Sequence, residues 1–421
     1  MKKDKGKRAT VYVLMRLYCR DVNSHEEFLA QLGPTLDSVV ANKKGYGGQL
    51  VLMVCDDTRQ EAGGPCDSYK QKRNALLASK LGKGGEEWML CESRGKGSSY
   101  AMFELRDFFL QTAKEENDIA VLLDQDDELR PDAVSNIASQ MKPGGIVISP
   151  FQMRNEEGLD ITDDGGEIHN AIARRLNCRL YATLFSKGLC KRSASDLSSI
   201  GWTKSYTRSA MQRYQFDLKA FLEDKRGGAD SFFSVHRAYE DFIDYYVLLQ
   251  KDIPVTGIRE DTHIYIKHKD SITSTPTVDD FREHRPAMLQ ALIDLCYAKS
   301  RKAESRLYED YRSRLLRYVA SKACQIDSIL KKYSDIYEHE GSEQYARLAE
   351  MAKSESFVTM FIRHINDDVD PESMRNLKDL TSPSSYKHVR FYSHKLTDVS
   401  PSNVLQQAAA IEARRRILAV G

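Results

Sequence analysis

The sequence predicts an α/β protein: a mainly parallel sheet with helices on both faces, followed by an α-helical C-terminal region. Two observations predict it. From Thr10 to about residue 150, short apolar runs alternate with longer helical patterns, the spacing that β-α-β units produce. Beyond Pro276 that alternation stops, and Leu307, Tyr311, Leu315, Val319, Ile326, Leu330 and Tyr333 recur at helical intervals along one stripe.

The elements follow in order. "TVYVLMRLY", "QLVLMVCDD", "EEWMLCES" and "DIAVLLDQDD" read as strands, with "EEFLAQLGPTLDSVVANK", "DSYKQKRNALLASKL" and "SYAMFELRDFFLQTAK" as the helices between them. "GGIVISPFQ" (144 to 152) adds a strand, and the polar "RNEEGLDITDDGGEIHNA" after it reads as a loop. Helical patterning returns from Tyr206 to Glu223, and "AYEDFIDYYVLLQ" precedes the strand-like "THIYIKH". The break in texture sets the domains: residues 1–278, with halves at about 10–130 and 131–278, and a helical domain over 279–421. The last helix, "SNVLQQAAAIEARRRILAV", opens on Ser402 or Asn403 as cap.

Composition excludes more than it selects. The 62 Lys and Arg nearly cancel the 61 Asp and Glu, so net charge gives no argument for nucleic acid as a partner. The eight cysteines form no CxxC and no zinc spacing, which fits reduced thiols in the cytoplasm. No run approaches the roughly 20 apolar residues of a membrane helix, and "MKKDKGKRATVYVLMRLYC" lacks the apolar core and cleavage site of a signal peptide. A soluble chain is expected.

The stretch "IAVLLDQDDELRPDA" (119 to 133) ends an apolar strand in three aspartates, Asp124, Asp126 and Asp127. Asp56 and Asp57 close the strand "LVLMVC" in the same way. Ligands of open α/β sheets bind at the carboxyl ends of strands, so two acidic ends meeting in one crevice would attract a hard divalent cation and a phosphate-bearing substrate. A turn rich in Asp is the plain alternative.

Six segments, in order and spacing, resemble the family 2 glycosyltransferases of GT-A fold. They are "LMRLYCRDVN", "VLMVCDDTRQ", "ESRGKGSSYA", "LLDQDDELRPDA", "YEDFIDYYVLL" and "IYIKHKDSIT", together spanning about residues 10 to 275. The chain departs from the family at Arg16, where a proline is usual, and at Phe103, where an asparagine is common. It carries a longer segment over 203 to 235.

The resemblance implies a role for each matched residue. Tyr18 would stack on the nucleotide base and Asp56 or Asp57 would accept hydrogen bonds from it, while Gly97 and Asp124 would also lie against the nucleotide. Asp124, Asp126 and Asp127 would hold Mn2+ or Mg2+ and touch the ribose, and His268 would be a further metal ligand or a diphosphate contact. Asp241 would be the general base of an inverting transfer to a hydroxyl acceptor, with Glu240 and Trp202 on the acceptor side. The implied donor is a nucleotide-sugar, with uridine preferred, and the implied acceptor a saccharide or lipid-linked saccharide in surface polysaccharide or glycoconjugate synthesis.

The helical tail carries nine Lys or Arg against four Asp or Glu between Arg301 and Lys332. Such a face suits peripheral contact with the inner surface of a membrane, a second copy of the chain, or plain solvation. Two other functions stay open: a sugar nucleotidyltransferase, disfavoured because the loop "CRDVNSHEEF" lacks a glycine-rich basic pattern, and a non-catalytic carbohydrate-binding protein on a transferase fold.

Overall fold

The computed structural model describes residues 8–19, 25–58, 67–94, 97–161, 203–223 and 253–268. The chain separates into two compact units, residues 1–271 and 272–421, and all described residues belong to the first. The expected helical domain at 279–421 lies outside them.

Three strands and the helices that follow them build the first layer. Strand β1 (Val11–Leu17), helix α1 (His25–Tyr46), strand β2 (Leu50–Asp56), helix α2 (Asp67–Leu81), strand β3 (Trp88–Glu92) and helix α3 (Ser98–Thr112) lead into β4 (Ile119–Leu123). All seven residues of β2 and all five of β4 are buried, as they must be in parallel strands covered on both faces. Helix α1 presents Leu29, Leu32, Leu36 and Val39 at helical spacing to that sheet, with Glu26 and Glu27 in its first turn and Lys43 and Lys44 in its last, each matched to the helix dipole.

Short elements complete the described fold: β5 (Glu128–Leu129), α4 (Ala133–Gln140), β6 (Ile146–Ile148), β7 (Phe151–Asn155), β8 (Lys204–Thr207), α5 (Arg208–Glu223), β9 (Val255–Gly257) and β10 (His263–Lys267). Among the described residues they form a seven-stranded sheet ordered β3-β2-β1-β4-β8-β6-β9 and a three-stranded sheet ordered β5-β10-β7. The pairs β1–β2, β2–β3, β1–β4 and β6–β9 are parallel. β8 runs antiparallel to both β4 and β6.

Strand order reverses between β1 and β4. The chain steps outward from β1 to β2 to β3, then returns to the other flank of β1, which makes the carboxyl ends of β1 and β4 a topological switch point, the place where open α/β sheets bind ligands.

Two sequence expectations are corrected. The helix expected from Tyr206 begins at Arg208, because Lys204–Thr207 is a wholly buried strand fitted between β4 and β6. The strand expected at 144 to 152 is two strands in different sheets, with Pro150 between them and the second reaching Asn155. No described helix is long and apolar enough to cross a membrane.

Candidate active site

The site is built at the ends of β1, β2 and β4. Asp57 N–H donates to Leu17 O at 2.8 Å and Cys19 N–H donates to the Thr58 hydroxyl at 2.9 Å, so the first two strand ends are tied together beyond their ladder. The Tyr18 backbone and the Gln125 side-chain amide clasp each other through Tyr18 N to Oε1 at 2.7 Å and Nε2 to Tyr18 O at 3.2 Å. That clasp fixes the β1 end against the turn carrying Asp124 to Asp127. The Tyr18 side chain remains exposed.

The two aspartates of β2 differ in surroundings. Asp56 pairs with Arg73, a guanidinium 1% exposed, accepts from the Tyr69 hydroxyl at 3.0 Å and accepts from Thr58 N–H at 2.9 Å. Burial first, and the Asp56 charge second, push the Tyr69 phenol far up, so it stays a neutral donor. Asp56 is thereby committed to a buried network from α2. Asp57 is also buried, at the outer end of the strand. Near it Glu104 of α3 lies beside Arg94, with Arg94 N–H 3.3 Å from its carboxylate. Burial raises the Glu104 pKa, opposed by Ser93 and Arg94 and reinforced by the charge of Asp57.

At the end of β4 each carboxylate has its own fate. Asp124 Oδ1 lies 2.7 Å from Arg16 Nη2, an ion pair joining β4 to β1 across the switch point. Asp127 is 1% exposed and accepts from Ile266 N–H at 2.9 Å, which pins β10 beneath the turn. Burial, then the charges of Asp126 and Asp124, raise its pKa well above the usual carboxylate range. Asp126 is raised as well, by desolvation and then by the charge of Asp124, though its side chain is 47% exposed.

His268 leaves β10 next to Asp126. Its Nε2 lies 3.6 Å from Asp126 Oδ2 and its Nδ1 lies 3.3 Å from Glu156 Oε1. Deeper in the same strand His263 is fully buried, with Nε2 3.0 Å from Leu122 O and Nδ1 2.8 Å from the Thr262 hydroxyl. Burial lowers its pKa to about 4, so it is a neutral packing histidine.

Gly97 sits at the start of α3 with φ 103°, a backbone conformation that favours glycine, and Arg16 Nη1 donates to the neighbouring Ser98 O at 3.4 Å. The structure therefore gathers Tyr18, Asp57, Asp124, Asp126 and His268 at the strand ends. Asp241, Glu240 and Trp202 lie outside the described residues. Gln125, Arg73 and Glu156 join the residues at the strand ends with no motif in the sequence to mark them. Arg16 stands out in the sequence only as a departure from a motif.

Chemically, an exposed aromatic ring beside buried carboxylates suits a planar base with N–H donors, and an Asp with a His suits a divalent cation. Among the described residues, no group of three or more His, Cys, Asp and Glu side chains is arranged to hold a metal. Asp126 and His268 would supply two ligands, leaving other positions to ligand oxygens and water, which is how Mg2+ is usually held.

No family model matches the chain, and no curated protein matches it. Among solved structures it is similar to S. aureus TarS 1-349 in complex with UDP-GlcNAc, at a TM-score of 0.45 and 13% identity over 91% of this chain and 89% of that one. S. aureus TarS 1-349 in complex with UDP gives 0.40 and 11% over 91% and 88%. A longer S. aureus TarS structure gives 0.41 and 11% over 95% of this chain and 55% of that one. These likenesses are weak.

Proposed function

We propose that the chain is a metal-dependent inverting glycosyltransferase of the GT-A type, family 2 in its motifs. The observation that carries the reading is the convergence of Tyr18, Asp57 and the Asp124 to Asp127 turn at one switch point between β1 and β4. A crevice there, with an aromatic ring and carboxylates on its rim, suits a nucleoside diphosphate-sugar.

Tyr18 stacks on the base, and Asp57 accepts from it, uridine being preferred. Asp56 is left as the anchor of Arg73, Tyr69 and Thr58 rather than a base contact. Gly97 keeps the start of α3 free of a side chain near the nucleotide. Asp124, held by Arg16, faces the ribose side. Asp126 and His268 would hold Mn2+ or Mg2+, and Asp127, expected as a third ligand but buried and accepting from Ile266 N–H, would support them by fixing β10 from below. When bound, the ion would supply the countercharge for a departing diphosphate.

Asp241 takes the proton from the acceptor hydroxyl, and Glu240 and Trp202 orient the acceptor, a saccharide or lipid-linked saccharide. The region after residue 278 brings the protein to that acceptor, peripherally at the inner membrane face or as a homo-oligomer. A thermal-shift panel of nucleotide-sugars with and without Mn2+ tests the reading, because ligands that bind only the native state raise its midpoint. Uridine diphosphate sugars with Mn2+ should give the largest rise, and a panel without any rise would refute the proposal.

A further inference from the structure

We infer that Glu156 is a positioning residue that holds the His268 imidazole with its proton on Nδ1, so that the lone pair of Nε2 faces Asp126. The inference deepens the metal reading above and rests on it. β7 and β10 are parallel neighbours with Asn155 beside Lys267, so the next residues, Glu156 and His268, leave their strands side by side.

The contact that results is directional. Glu156 Oε1 lies 3.3 Å from His268 Nδ1, and an ionised carboxylate only accepts, so Nδ1 carries the proton. In a neutral imidazole the other nitrogen is then the acceptor. That nitrogen is 3.6 Å from Asp126 Oδ2, a spacing outside hydrogen-bond reach and suited to two groups that share a cation. A carboxylate behind a ligating histidine is a recurrent way to fix ring orientation and raise basicity.

Both partners are mounted on fixed backbone. The turn carrying Glu156 is closed by Gly158 N–H to Asn155 O at 2.9 Å, Leu159 N–H to Asn155 Oδ1 at 2.8 Å and Asn155 N–H to Leu159 O at 3.0 Å. Gly158 takes φ 80°, which suits glycine. On the other strand Ile266 N–H donates to Asp127, two residues before His268, so the aspartate turn itself sets where the histidine stands.

The test uses the full chain with labelled histidine, His268→Gln assigning the signal, and reads the His268 tautomer by nitrogen NMR at pH 8 without metal. Wild type should show the Nδ1–H form, and Glu156→Ala should move it toward Nε2–H. Mn2+ affinity in the presence of UDP, read by electron paramagnetic resonance, should then fall about 10- to 100-fold in Glu156→Ala. Glu156→Gln, which keeps an accepting oxygen, should recover most of both signals, and UDP affinity in chelator should match wild type in each variant.

An Nε2–H or doubly protonated ring in wild type overturns the inference, as does a tautomer that Glu156→Ala leaves unmoved. A tautomer that moves while Mn2+ affinity stays constant overturns the positioning role. A wild type that binds no Mn2+ with UDP overturns the metal reading instead, and the tautomer still decides what Glu156 does.

Discussion

Arg16 Nη2 lies 2.7 Å from Asp124 Oδ1, joining the two strands that flank the switch point. With side-chain exposures of 17% and 28%, the pair is shielded enough to matter, and it places a fixed countercharge beside the crevice assigned to a diphosphate. Arg16→Gln leaves Asp124 uncompensated, so UDP affinity should fall about five- to tenfold at low salt and by less at high salt, with Arg16→Lys intermediate. Calorimetric titration at two ionic strengths checks it. Unchanged affinity would remove Arg16 from the account.

Asp56 and Asp57 should separate stability from binding. Asp56→Ala leaves the buried Arg73 guanidinium with the half-exposed Glu92, 3.7 Å away, as its carboxylate partner and should lower stability by about 3 kcal/mol in denaturant melts. Asp57→Asn should melt near wild type and lose most of its uridine nucleotide affinity. The opposite pattern would return the base contact to Asp56.

Much of this division was legible in the sequence, and some was not. β1, β2 and β4 showed themselves because strands buried on both faces are continuous apolar runs, and their acidic ends marked the site directly. Which of two adjacent aspartates is taken up by a buried network was hidden, since that depends on Arg73 and Tyr69 arriving from α2. β5, β8 and β9 are two to four residues long and exist only through their pairing partners, so no local pattern announced them. Glu156 was invisible for the same reason, because parallel register with β10 gives it its neighbour.

His263 predicts a pH dependence. Burial lowers its pKa from 6.5 to about 4, so the folded state disfavours protonation. Its contribution is fully present above pH 6.5 and is lost as pH falls from 6.5 to 4, amounting to about 3 kcal/mol. Between pH 7 and 4, wild type should therefore lose about 3 kcal/mol more than His263→Gln in denaturant titrations. Parallel losses would show that His263 does not titrate in this way.

Asp241 is assigned no part in donor binding. Asp241→Asn should reduce transfer by about two to four orders of magnitude, the usual worth of a positioned base, with UDP affinity near wild type. Asp126→Ala should damage both. Near wild-type transfer by Asp241→Asn would point to Glu240 or Asp244 as the base.

The carboxyl ends of β1, β2 and β4 are proposed here as one metal-assisted nucleoside diphosphate site. Calorimetric titration of the full chain with UDP, with Mn2+ and again in chelator, tests it most directly. Binding should be saturable, tighten at least tenfold with Mn2+ and lose that gain in Asp126→Ala. Equal affinity with and without Mn2+, or the absence of UDP binding in both, would contradict it.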